Sequence, residues 1–195
     1  MIKRRKAPAA GHFFVQYVKC VKFMAIYKVL RYPDERLRTE CVPVTEFDDE
    51  FRKTADDMFE TMYKNEGVGL AAPQVNIHRR FVVIDCSEDR SAQLVLANPV
   101  IVSKTGTASI DEGCLSIPEF RAKVKRAEKV HVRAQDRYGK EFEMDADGLL
   151  AICIQHELDH LEGKLFIDYL PQFKKDRALK LMKKIEKEEK EEGKR

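Results

Sequence analysis

Residues 155–160 read Gln-His-Glu-Leu-Asp-His. The four-residue spacing of the two histidines puts both imidazoles on one face of a helix, one turn apart, where they can grip a single metal ion. The flanks support the helix. Leu149, Ile152 and Cys153 precede His156 on an apolar stripe, Asp147 stands as candidate N-cap, and Gly163 supplies a stop after Glu162. Glu157 sits one residue round, at the edge of the histidine face. The chain must therefore bury this helix and bring further ligands to it, because a catalytic ion of this type takes three from the protein and keeps a position open.

Cys153 lies one turn before His156, but from 153 to 160 a helix rises about 10 Å. Ligand atoms around one ion stand only about 3.5 Å apart, so three consecutive turns can hardly converge. Cys114 fits better. It is remote in sequence, flanked by Glu112-Gly113 and Leu115-Ser116, in a tight segment between strands where backbone can approach a metal. A site of one loop thiolate and two helical imidazoles follows.

The rest of the chain has room for one domain. Its 195 residues are 44% hydrophobic, enough to bury a core. Phe47, Phe51, Ala55, Met58, Phe59 and Met62 recur at helical spacing, with Thr45 as the expected N-cap. The pattern stops near Asn65-Glu66-Gly67, and the glycine- and proline-rich segment 67–74 reads as a loop. Residues 25–30 read as a short strand before the turn Tyr32-Pro33-Asp34. Segments 81–85, 94–102, 129–136 and 141–145 are β-rich, the last two joined by a hairpin at 137–140. From about Lys174 a charged helix carries the sparse apolar stripe Ala178, Leu181, Met182, Ile185. The fold class predicted is α+β: small antiparallel sheets packed around a central metal-binding helix, with an N-terminal and a C-terminal flanking helix. The divisions are an extension at 1–23, a catalytic domain at 24–172 and a charged helix at 173–195.

The formal charge of +3, with both signs interspersed, argues against a DNA partner. No run is apolar enough to cross a membrane. Five cysteines, an odd number without a CxxC pair, suit a reducing compartment and a cytoplasmic protein. Lys3 to Lys6 followed by the apolar stretch 13–18 is a poor targeting signal, and an upstream start with Met24 as initiator is the plainer reading; organellar targeting by 1–23 is the alternative.

Three segments together carry a resemblance. Gly67-Val68-Gly69-Leu70-Ala71-Ala72-Pro73-Gln74, Glu112-Gly113-Cys114-Leu115-Ser116 and Gln155-His156-Glu157-Leu158-Asp159-His160 resemble, in order, the three motifs of the peptide deformylase family, over about 25–170. The resemblance implies a hydrolase that removes the formyl group from the N-terminal formyl-methionine of nascent polypeptides, releasing formate. It implies a metal on Cys114, His156 and His160, with Glu157 as proton shuttle and Gln74 beside the formyl oxygen. The backbone N–H of Leu115 is a further oxyanion donor. The substrate side comprises Val68, Gly69, Ile110, Glu112, Leu149, Ile152 and Cys153, with the Gly69 backbone able to pair with a peptide as an added strand.

Fe²⁺ is the ion the resemblance implies in the cell, while the donor set also accepts Zn²⁺, Ni²⁺ or Co²⁺. Glu112 is expected to pair with Arg121, and Gln155 and Asp159 to support the helix. A weak ribosome contact through the C-terminal helix is a further expectation. Two other readings share the histidine motif. A zinc-helix peptidase draws its third ligand from downstream, where only Asp168 stands near, and a metal-sensing module has no need of Glu157.

Overall fold

The computed structural model describes residues 25–192. The extension at 1–23 and the proposed initiator Met24 lie outside them. Among the described residues, none of the helices is long and apolar enough to cross a membrane.

The first helix, α1 (Asp49–Lys64), presents Phe51, Ala55, Met58, Phe59 and Met62 inward, as the spacing predicts. Its N-cap is Asp48, whose side chain accepts the Phe51 N–H at 2.8 Å, and not Thr45. Asp48 is followed at once by Asp49 and Glu50, which meet the positive helix end. Segment 25–30 is not a strand. It runs extended along α1, its N–H groups taken by side chains and a distant carbonyl: Ala25 by Asp57 Oδ1 and Tyr27 by Thr61 Oγ1, each at 2.9 Å, and Leu30 by the Gln74 carbonyl at 2.7 Å. With those donors occupied, it joins no ladder.

Seven strands follow: β1 (Gly69–Ala71), β2 (Phe81–Ile84), β3 (Leu94–Thr105), β4 (Ala108–Cys114), β5 (Ile117–Arg126), β6 (Lys129–Gln135) and β7 (Glu141–Asp147). They form an antiparallel five-stranded sheet in the order β1-β2-β3-β6-β7 and a separate β4-β5 hairpin. The segment 67–74 thus holds an edge strand and, at Ala72–Val75, a 3-10 turn, where sequence suggested only a loop. The hairpin at 137–140 forms as expected, with Gly139 at φ +81°.

The sheet separates two cores, and β2 shows how. Phe81 and Val83 point to α1, whereas Val82 and Ile84 point to α2 (Gly148–Leu161), the strand alternation serving both faces. Because the hairpin covers its other side, α2 is buried nearly all round, its polar Gln155, His156, Glu157 and His160 included. Its start is made by Gly148 at φ +54°, directly after β7. Asp147 occupies the N-cap position, but its side chain makes no capping hydrogen bond. Gly163, at φ +68°, ends the segment with its Cα against the Arg38 carbonyl, where a Cβ would lie 2.3 Å from that oxygen. A third core joins the hairpin, the 3-10 turn Phe166–Tyr169 and α3 (Gln172–Glu192), which contributes Ala178, Met182 and Ile185, with Leu181 at their margin.

Phe51 is about 1% exposed and meets Phe81 edge-on at 5.0 Å. Phe51→Ala is expected to lower the free energy of unfolding by about 3–5 kcal/mol in urea denaturation. A loss below about 1 kcal/mol would mean that the α1 core collapses around the gap.

Candidate active site

The β4-β5 hairpin bends at a register shift between Glu112 and Cys114, which delivers Cys114 to the buried face of α2. There its Sγ stands 3.3 Å from His160 Nε2. One donor atom from each of Cys114, His156 and His160 falls within 4.8 Å of the others. The His156 and His160 rings lie edge-to-face, centroids 5.1 Å apart. The loop sulfur and the two helical imidazoles therefore converge, while Cys153 faces Val68 and the cleft.

His156 is held by its other nitrogen, since Nδ1 meets Glu112 Oε2 at 2.8 Å and Nε2 is left for an ion. Glu112 in turn takes a two-pronged contact from Arg126, at 2.7 and 3.0 Å. Arg126 continues to Asp159 at 2.6 Å, which also accepts from the Tyr169 hydroxyl at 3.0 Å. The expected pairing of Glu112 with Arg121 is not formed. Arg121 lies on the outward side of β5 and reaches the Asp111 carbonyl at 3.4 Å, whereas Arg126 ends the inward row after Ala122 and Val124. Gln155 brackets Ala127, accepting its N–H and donating to its carbonyl, both at 2.9 Å.

Gln74 is fixed at both ends. Its Oε1 accepts the Ala71 N–H at 2.8 Å, and its Nε2 donates to Ser116 Oγ at 3.1 Å and toward Cys114 Sγ at 3.5 Å. Glu157 is buried against β1, and its Oε2 has no partner among the described residues. A Cβ at Gly69 would meet Glu157 Oε1 at 2.5 Å, so only glycine lets β1 approach α2 this closely.

Burial sets the protonation of the cluster. It pushes the Glu157 carboxyl up to about 7, the nearby Glu112 charge adding to it and His156 opposing. His160 is held well below its ordinary range, first by burial and then by the neighbouring cations, so its imidazole is neutral. For Glu112, burial is outweighed by His156 and Arg126, and its pKa is lowered. His156 is raised well above its usual value, because Cys114 and Glu112 outweigh burial. One thiol-bearing arm and two imidazoles turned toward it, one steered by a carboxylate behind it, form a donor set suited to a borderline-soft divalent ion.

The cluster opens to a cleft of about 1580 Å³. Val68, Gly69, Ile110, Leu149, Ile152 and Cys153 all border it, together with Gln74, Leu115, His156 and Glu157, while His160 lies behind. Leu149 and Val68 stand exposed at the mouth and Ile152 and Cys153 are buried deeper. Glu112 borders the cleft too, but its carboxylate is engaged by His156 and Arg126. Arg126, Ser116 and Tyr169 are the residues that sequence reasoning missed. The strict alternation of Ala122 and Val124 with Arg121, Lys123 and Lys125 is the signal that would have placed Arg126 on the inner face.

A family model described as polypeptide deformylase matches residues 26–176. Among solved structures, a peptide deformylase from Legionella pneumophila is 48% identical with a TM-score of 0.82, covering 85% of this chain and 98% of that one. One from Ehrlichia chaffeensis in complex with actinonin is 38% identical with a TM-score of 0.81, covering 84% and 99%. One from Plasmodium falciparum is 34% identical with a TM-score of 0.75, covering 84% and 97%.

Replacing Arg126 with methionine leaves the buried Glu112 carboxylate without its guanidinium. We expect stability to fall by about 3–5 kcal/mol and affinity for Zn²⁺ by about 10–100-fold, read by chemical denaturation and competitive chelation. Unchanged values of both would show that Arg126 does not hold Glu112 in place.

Proposed function

The chain belongs to the peptide deformylase family, and on that premise we propose that Glu157, Gln74 and Leu115 act on a formamide beside an ion held by Cys114, His156 and His160. The reaction is hydrolysis of the formyl group from the N-terminal formyl-methionine of nascent polypeptides, with release of formate. When bound, a divalent ion supplies a Lewis acid that makes hydroxide available from water near neutral pH.

The observation that carries the residue roles is Glu157. A carboxylate oxygen fully buried without a partner is costly, and this one sits between the two imidazoles in sequence and at the floor of the cleft. Its carboxyl, poised at about 7, is matched to accepting a proton from water and delivering it to the departing amine, which cannot leave as an anion. Gln74 donates from Nε2, whose direction is fixed because Oε1 is already tied to Ala71. With the Leu115 N–H it stabilises charge growing on the formyl oxygen, and being neutral it needs no counter-charge.

The methionine side chain enters between Ile152, Cys153 and Leu149, with Val68 and Ile110 as further walls. Gly69 lies on β1, at the edge of the five-stranded sheet, and offers its backbone to an extended peptide as an added strand. We assign Glu112 the orientation of His156 in addition to bordering the cleft. The proposed ion in the cell is Fe²⁺, with Zn²⁺, Ni²⁺ and Co²⁺ as substitutes that the same donors accept.

The catalytic unit in this reading is 24–172, with 173–195 as an appended helix and the cytoplasm as its place of action. Free Cys41, Cys86, Cys114 and Cys153 suit a reducing compartment. A weak ribosomal contact is supported by Arg121, Lys174, Arg177, Lys180 and Lys184, which border one shallow groove beside α3. Lys184 of this set, and Lys187 and Lys190 beyond it, are answered by Glu188, Glu191 and Glu186, so the basic character concentrates at the start of α3.

Glu157→Ala should retain its bound metal and lose about 10²–10⁴-fold in formate release from formyl-Met-Ala-Ser. Full turnover in that variant would remove Glu157 from the reaction. Cleavage of an internal peptide bond by the unmodified protein, with no formate, would favour the peptidase reading.

A further inference from the structure

Cys86 and Cys153 make a second sulfur pair, separate from the ligand set. On β2, Val82 and Ile84 face α2, and Cys86, two residues beyond Ile84, continues that row. It packs on the same cluster as Cys153, Ile154 and Leu158. The backbone fixes this placement, because the Asp85 N–H donates to the Val68 carbonyl at 2.9 Å and Cys153 Sγ points to that same carbonyl at 3.8 Å. Both sulfurs are free thiols, Cys153 buried and Cys86 only partly so. The neighbouring Cys153 sulfur holds the Cys86 pKa below its ordinary value, and Cys86 together with burial drives that of Cys153 well above. A partly accessible thiol packed beside a buried one is the arrangement of an attacked and a resolving cysteine.

We propose that Cys86 and Cys153 are a modification site for two-electron oxidants, at which hydrogen peroxide closes a reversible disulfide against the wall of the substrate cleft. The Cys86 thiolate attacks one peroxide oxygen, the O–O bond breaks, and the departing hydroxide takes a proton to become water, leaving a sulfenic acid. Cys153 Sγ then attacks the Cys86 sulfur; the S–S bond forms, the S–O bond breaks, and the second hydroxide leaves with the Cys153 proton as water. Two thiols are oxidised and one peroxide is reduced to two waters.

The link would act where the reaction is most confined. Cys153 lies one turn before His156, and a Cβ at Gly69 would come within 2.6 Å of its sulfur, so drawing Sγ toward Cys86 reshapes the wall between β1 and α2. This consequence rests on the functional reading above, whereas the link itself does not.

The test treats zinc-loaded full-length protein with hydrogen peroxide, blocks remaining thiols with N-ethylmaleimide, and analyses the tryptic digest by mass spectrometry. The expected product joins the peptide 81–90 to the peptide 141–164 and disappears with dithiothreitol, and formate release falls severalfold and returns on reduction. Cys86→Ser should keep the starting activity, form no such product and withstand the same exposure. Finding both cysteines blocked by the maleimide after peroxide would overturn the proposal, as would equal loss of activity in Cys86→Ser and the unmodified chain. Because the linked peptide is read without reference to turnover, a protein that released no formate would refute the functional reading alone.

Discussion

The structure depends on one buried carboxylate. Glu112 stands on a hairpin with few contacts to the main sheet, yet that hairpin must present Cys114 to His160 of α2. Glu112 provides the fixing point, gripped by Arg126 of its own hairpin and by His156 of the helix. Arg126 then returns to the helix through Asp159, so the hairpin and α2 are tied at two points by charged hydrogen bonds. In isolation, burying such a charge is prohibitive. Here each partner satisfies another, and the lowered pKa of Glu112 records that attraction outweighs desolvation.

The apolar structure makes room for this polar bridge. Two-sided alternation on β2 puts α1 and α2 on opposite faces of one sheet, and the third core seats the hairpin and α3 together. α2 is enclosed from several sides, which keeps Glu157 and His160 dry and shifts both toward their neutral forms. Gly69 is the point where packing and chemistry meet, because a methyl there would strike Glu157 and Cys153 at once. The same tightness sets the cleft wall and brings Cys86 against Cys153.

Much of this was legible in the sequence wherever a local period carried it. The histidine helix, α1 and its buried face and the apolar stripe of α3 follow from spacing, and four strands of the five-stranded sheet from β-rich composition between turns, whereas β1 reads as a loop. The convergence of Cys114 with His156 and His160 could be argued because helical rise excludes Cys153. What failed depended on partners far away in sequence. Segment 25–30 has the composition of a strand, but Asp57 and Thr61 claim its donors. Asp48 displaces Thr45 as cap because the chain turns later. Arg121, the expected partner of Glu112, gives way to Arg126 because the β4-β5 pairing turns Arg121 outward and ends the inward row at Arg126.

The central claim is that a hairpin sulfur and two imidazoles one helical turn apart hold a single ion. Metal content of the Cys114→Ala variant, determined by elemental analysis beside the unmodified protein after anaerobic loading and exhaustive dialysis, addresses it directly. The account predicts about one ion per chain in the unmodified protein and near-complete loss in the variant, with formate release lost in parallel. An undiminished ion content together with continued deformylation would contradict it.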